Sequence, residues 1–264
     1  MSAMPDIILE ARDLAKHFGG LHAVDGVDLQ VQAGSLHSII GPNGAGKTTL
    51  FNLLSGYLKP THGHVLLRGR DITHTPLHRV AHLGLGRSFQ ITNVFPNLTV
   101  LENVRLAAQA IGRDSLKLWR ASTRLTPYLD RSYAAIEQVG LKGKEAVSAS
   151  ALPHGDKRKL ELAIILASDP QVLLLDEPTA GMASEQVPHL MEIIASIREQ
   201  GGKTIVLVEH NMNMVMRVSD RITVMHQGRV LAEGAPSEIA ANAAVQSAYL
   251  GESAKSAQEA AQRS

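Results

Sequence analysis

A chain of 264 residues, 44% hydrophobic and 19% charged, can bury a core as one large domain or two small ones. Its net charge of +1 offers no broad positive field for nucleic acid, and the absence of cysteine excludes disulfides and thiolate chemistry. No apolar run approaches the roughly 18 residues that span a bilayer, and the start, MSAMPDIILEAR, lacks a cationic region before an apolar core, so neither a membrane span nor a secretion signal is expected.

The first third reads as strands. Ile7 to Leu14 is extended in character, and Gly26 to Gln32 alternates Val27, Leu29 and Val31 with polar neighbours, the period of a half-buried strand. Between them KHFGGLHAVDG is expected to be a glycine-containing loop carrying one exposed aromatic, Phe18. Ser35 to Gly41 (SLHSIIG) is short and apolar, as a buried strand should be. It runs into Gly41, Pro42, Asn43, Gly44, Ala45, Gly46, Lys47, Thr48 and Thr49, a match to G-x-x-x-x-G-K-[ST]. A chance match in a chain of this length is on the order of one in a hundred. Leu50, Leu53, Leu54 and Leu58 follow at helical spacing, so the motif lies between strand and helix. Its glycines let backbone N–H groups converge on an anion, and the helix N-terminus adds positive potential. Lys47 would reach the β- and γ-phosphates of a nucleoside triphosphate, and the Thr48 hydroxyl would take a place on Mg2+. THGHVLLRGRDI then supplies a turn and another strand, bracketed by Gly63 and Gly69.

From about Ile91 to Ala167 the pattern turns helical. Thr99-Val-Leu-Glu102 is a capping-box pattern ahead of Val104, Leu106, Ala107, Ala110 and Ile111. Further helices are expected over Ser115 to Leu129, Ser132 to Val139 and Gly155 to Ser168. The βα rhythm resumes with QVLLLDEP, a continuous apolar strand, then a helix from Ser184 to Gln200 and the strand KTIVLVE. Asn211 to Val218 precedes RITVMHQGRVLAEG, two strands around a Gln227-Gly228 turn. The tail from about Ala241 is rich in Ala, Ser, Gln and Glu, with disorder expected beyond Gly251, and no internal repeat is found.

Asp176 and Glu177 end the apolar strand, where ligand sites of parallel sheets lie. Asp176 is placed to hold Mg2+ through water and Glu177 to polarise the water that attacks the γ-phosphate. Alone, such a pair is more often a helix cap and a solvated charge; beside a phosphate loop the functional reading prevails. His210 ends the next strand, where its N–H could stabilise or sense the γ-phosphate, although a lone histidine there is usually structural. Gln90, where the strands give way to the helices, is a neutral amide able to ligate Mg2+ or water in one state and release it in another.

GPNGAGKTT, Gln90, VLLLDEP and His210, in this order, resemble the nucleotide-binding subunit of an ABC transporter over about residues 7 to 240. HFGGLHAVDGV, GLGRSFQITNVFPNLTVLENV, VEHNMNMVM and AYLGE are similar, more narrowly, to the longer ATPase subunit of branched-chain amino acid importers. The resemblance implies an α/β P-loop NTPase with a RecA-like parallel core and an antiparallel β subdomain over 7–90 and 168–240. It further implies a helical subdomain over 91–167 and an ABC ATPase domain spanning 7–250. It implies ATP and Mg2+, with Phe18 stacking on adenine beside Val24, and Gln90 and His210 responding to the γ-phosphate. The implied partners are a second ATPase subunit or a second copy of this chain, two permease subunits received near Gln90 to Leu98, and a solute-binding protein outside the membrane. The chain would then lie in the cytoplasm, peripheral on the inner face of the membrane.

Two departures stand out. The family's LSGGQ-type signature is here Leu152, Pro153, His154, Gly155 and Asp156, with proline where a serine hydroxyl would meet the partner's γ-phosphate. Ala183 stands where the family usually has Asp or Asn. Both suggest an asymmetric pair in which this chain completes its partner's site weakly. An exporter or lipid-transport ATPase is the runner-up, against which LENV and VEHNMNMVM weigh. A soluble ABC regulator is disfavoured by the single module and the near-neutral charge, and a binding-only or kinase-type protein by Glu177 after Asp176.

Overall fold

The structure, a computed structural model, describes residues 6–88, 94–112 and 126–249. The chain divides into two units, after Pro76 and after Lys203, the first unit resuming at Thr204.

In the first unit β1 (Ile7–Phe18), β2 (Leu21–Gln32), β4 (His62–Leu67) and β5 (Arg70–Asp71) form an antiparallel sheet in the order β2-β1-β4-β5. Val27, Leu29 and Val31 are buried on one face of β2 and Asp28, Gln30 and Gln32 exposed on the other, as the alternation predicts. The loop expected between these strands contracts to the Gly19-Gly20 turn. Lys16 pairs with Val24, His17 with His22 and Phe18 with Leu21, so most of KHFGGLHAVDG is strand. Register shifts between Leu14 and Lys16 and between Lys16 and His17 interrupt the alternation, which hides the strand from a period-two reading.

The same unit holds β3 (Leu36–Ile40), β8 (Thr204–Val208), β9 (Arg221–His226) and β10 (Arg229–Gly234). β9 and β8 flank β3 in parallel, and β10 is antiparallel to β9, so this sheet is mixed. β3 and β8 are buried at every residue, the reason both read as unbroken apolar runs. α1 (Lys47–Leu54) follows β3, α7 (Met212–Val218) follows β8, and α8 (Pro236–Ala241) closes the described chain's last hairpin. Ile40, Val215, Ile222, Val224 and Ile239 pack in one core cluster. His37 is fully buried inside this sheet, with its Nε2 2.7 Å from Thr223 Oγ1.

In the second unit β6 (Leu85–Arg87) runs parallel to β7 (Val172–Asp176). α2 (Leu77–His82), α3 (Val100–Ala110), α4 (Thr126–Gln138), α5 (His154–Ala167) and α6 (Val187–Gly201) complete it. α3, α4 and α5 pack on one another. The capping box forms: Glu102 N donates to Thr99 Oγ1 at 3.2 Å and Thr99 N to Glu102 Oε2 at 2.9 Å. Two expected helices change. Residues 126–138 are one continuous helix where a break before Ser132 was expected, and residues 113–125 lie outside the described part. α6 begins at Val187, residues 184–186 being a turn, because Pro188 suits the first helical turn. α2 and α8, six residues each, are too short to show a period in sequence. No helix among the described residues is long and apolar enough to cross a membrane. The expected tail beyond Gly251 lies outside the described residues.

Candidate functional site

The segment between β3 and α1 is shaped by backbone sterics. Gly41 has φ +149°, and a Cβ there would sit 2.2 Å from Met225 O. Gly46 has φ +98°, and a Cβ would sit 2.3 Å from Ala23 O. Any side chain at either place would have to push a backbone carbonyl aside, which explains glycine at both. Buried Ala45 pins the loop from within: its N donates to Pro42 O at 3.1 Å and its O accepts from Gly228 N at 2.9 Å. Asn43 and Gly44 are the exposed tip.

α1 starts with no side-chain cap and no acidic residue in its first turn, so no side chain neutralises the positive end of the helix. Lys47 is only 6% exposed, and its Nζ donates to the carbonyls of Gly41 at 2.6 Å and Pro42 at 2.9 Å. The cation is thereby held over the loop. Thr48 and Thr49, half-buried, follow it on the same turn. This arrangement can take a polyphosphate by amide and ammonium donors together.

Phe18 ends β1 with 48% of its surface exposed, and Lys16 Nζ lies 5.2 Å from its ring centroid. Val24, on the paired strand β2, is buried. His210 lies just beyond β8 and is exposed, its N donating to Glu209 Oε2 at 3.2 Å. Because Ile39 pairs with Val208, the phosphate-loop segment and His210 leave the carboxyl ends of two adjacent parallel strands.

The second unit carries the other candidates. Asp176 is the buried last residue of β7, and its N donates to Ser88 Oγ at 2.9 Å. Glu177 follows, half-buried, at φ +48°. A non-glycine residue there stores on the order of 1–3 kcal/mol of backbone strain, the kind of conformation that clusters at functional sites. Its carbonyl accepts from Ala180 N at 3.0 Å. Thr48 and Asp176 offer only oxygen donors, the chemistry that suits Mg2+. Gln90 lies outside the described residues.

Leu152 is buried, and Pro153 precedes α5 in extended conformation without a side-chain cap. His154 is exposed as the first helical residue. Gly155 is buried, a Cβ there falling 2.4 Å from Gln186 Oε1. Asp156 is paired with Lys144 and, at 3.7 Å, with Lys159. Ala183 is exposed, in the turn before α6.

Three residues with structural roles around these segments escaped the sequence reading. Ser88 tethers Asp176. Arg158 donates to Glu161 Oε2 at 2.9 Å and to Ala180 O at 3.1 Å, tying α5 to the segment after Glu177. Asn103 is buried, accepts from Phe95 N at 2.7 Å and donates to the carbonyls of Phe95, Leu98 and Thr99 at 3.1, 3.3 and 2.9 Å. It thereby shapes a loop that presents Phe95, 57% exposed. A lone Ser or Asn has no local pattern to announce it; only Arg158, three residues before Glu161 on one helix, offered a faint signal.

Residues 24–180 match the ABC transporter family, and residues 229–255 match a family described as branched-chain amino acid ATP-binding cassette transporter. The chain is 41% identical over 254 residues to the high-affinity branched-chain amino acid transport ATP-binding protein LivG of Salmonella typhimurium, covering 94% of this chain and 100% of that protein. It is similar to a crystal structure of an ABC transporter's ATP-binding cassette in its ADP conformation, with TM-score 0.80 and 27% identity over 93% of this chain and 99% of the other. A dimeric bacterial ABC transporter cassette is similar at TM-score 0.75 and 26% identity, covering 87% and 99%.

Proposed function

Because the chain belongs to the ABC transporter family, as an ATP-binding subunit of the LivG type, we propose that it energises the uptake of branched-chain amino acids. It is an ATPase with the ABC fold, an antiparallel β subdomain beside a mixed core sheet with helices. The observation that carries the reading of the site is the loop Gly41–Thr49. Gly41 and Gly46 have no room for side chains, the helix end is uncapped, and the lysine is buried against the loop's own carbonyls.

In this reading the loop amides and Lys47 hold the phosphates of ATP, and Phe18, with Val24 behind it, faces the adenine. Thr48, Asp176 and Gln90 would hold Mg2+, which would supply charge neutralisation for the phosphates. Glu177 orients and deprotonates the attacking water, and His210 donates a hydrogen bond to the departing phosphoryl oxygens. The strained backbone at Glu177, just beyond the end of β7, supports this, since such conformations cluster at functional sites.

The domain runs from residue 7 to 250, with a helical subdomain over 91–167. The active unit pairs this chain with a second ATPase subunit or a second copy, and Leu152–Asp156 completes the partner's site. The surface from Gln90 to Leu98 receives two permease subunits, which hold the chain peripherally on the inner face of the membrane. A solute-binding protein delivers the amino acid. Support for the permease surface comes from the exposed Phe95 and the Asn103 bonds behind it.

The test is reconstitution with cognate permease subunits and a solute-binding protein. Leucine, isoleucine or valine with the binding protein is expected to stimulate ATP hydrolysis. An active ATPase that responds only to another solute class overturns the branched-chain assignment.

A further inference from the structure

Among the described residues, one cluster of metal-ligating side chains stands apart from the nucleotide chemistry: His17, His22 and Asp25 on the β1–β2 hairpin. Strand pairing builds it, since His17 and His22 are direct cross-strand partners one step from the Gly19-Gly20 turn. Their rings stack with centroids 3.8 Å apart and planes 20° from parallel. His17 Nε2 lies 3.9 Å and His22 Nδ1 3.8 Å from the same oxygen, Asp25 Oδ1. All three donor atoms fall within 4.8 Å of one another.

Two further observations make this more than a surface coincidence. His17 Nε2 is buried from solvent and has no hydrogen-bond partner, an arrangement that costs free energy unless something binds there. Asp25 is already oriented from behind. Its Oδ2 accepts from Arg229 Nη2 at 2.6 Å and from Nε at 3.1 Å, leaving Oδ1 toward the imidazoles. That second bond partner is what ligating carboxylates usually possess.

We propose that His17, His22 and Asp25 form a binding site for a divalent transition metal of borderline softness, with Zn2+ and Co2+ as its probes. Two imidazoles and one carboxylate make a three-ligand set that leaves a position for water. Tetrahedral Zn2+ places neighbouring donors about 3.3 Å apart, so the set must close slightly. A metal also lies in the plane of each imidazole it binds, so the stack must open. His22, with 56% of its side chain exposed, is free to turn, whereas His17, at 31%, is the more confined partner. Metal binding then clamps the hairpin immediately beside Phe18.

The experiment uses the full chain without an affinity tag of histidines. Co2+ titration followed by visible absorption, and Zn2+ titration by calorimetry, are expected to give one strong site per chain. His22→Ala, at an exposed position, should weaken that site by about 100-fold or more while leaving the thermal melt without metal unchanged. Asp25→Asn should do the same, and His22→Ala carries the test alone if that variant fails to fold. His62→Ala, which removes a histidine paired with Asp13, should leave the site intact. Equal binding by wild type and His22→Ala, or loss on His62→Ala instead, overturns the proposal.

Discussion

The phosphate loop and the Leu152–Asp156 segment each run into the N-terminus of a helix that no side chain caps, yet they are held by different means. At Gly41–Thr49 the shape is dictated by backbone carbonyls within 2.3 Å of where Cβ atoms would be, and the charged residue is buried. At the second segment Pro153 and His154 are exposed, and only Leu152 and Gly155 are buried. A loop whose function lies in its main chain tolerates no substitution at its fixed points. A segment that presents side chains to a partner can vary where it is exposed and stays fixed where it packs. The departures from the family pattern fall on the exposed positions, which fits that rule.

Substitutions can break or sharpen this contrast. Lys47→Ala is expected to lower ATP hydrolysis by about a thousandfold and to weaken ATP binding, measured by phosphate release and nucleotide titration. Glu177→Gln should cost at least about a hundredfold in hydrolysis while ATP stays bound. Turnover at the wild-type rate would remove Glu177 from its role.

His37 tests the strand that feeds the loop. Burial pushes its pKa down from 6.5 to about 4, the nearby Glu233 opposing this. Folding therefore favours the neutral ring. The stabilisation is complete above pH 6.5 and is lost as the pH falls toward 4, in total about 3 kcal/mol. Urea midpoints at pH 7 and pH 4.5 should diverge in the wild type and converge in His37→Gln. An unchanged divergence would place the acid sensitivity elsewhere.

Pro153→Ser probes the variable segment. In the assembled transporter it is expected to raise ATPase activity by up to about tenfold, the worth of a hydrogen bond to a charged group. No change beside a fully active wild type would show that the asymmetric pairing is wrong. Smallest is Thr99→Ala, which removes the cap of α3 at a cost of about 1 kcal/mol. It should lower the melting temperature and leave ATP affinity unchanged, because the cap lies in the second unit and the phosphate loop in the first.

Much of this was legible in the chain. GPNGAGKTT needs only its own glycines and a helix start, so its identity is local. The apolar runs at β3, β7 and β8 read correctly because burial on both faces leaves no other pattern. The β1–β2 hairpin did not, since bulges near Lys16 break the alternation. Ser88 and Asn103 were also illegible, for each acts on backbone groups through bonds that no spacing encodes, and Arg158 showed only its helical pairing with Glu161.

The sequence by itself determined the phosphate-loop motif, Asp176 at the end of its strand with Glu177 after it, and the capping box, because each depends on residues a few positions apart. Only the tertiary structure decided that Gly41 and Gly46 face carbonyls at Met225 and Ala23, and that His17, His22 and Asp25 converge behind Arg229. Those relations arise from sheet register and from hairpins packed across more than 180 residues of chain, and register is set by collective burial rather than by any local pattern.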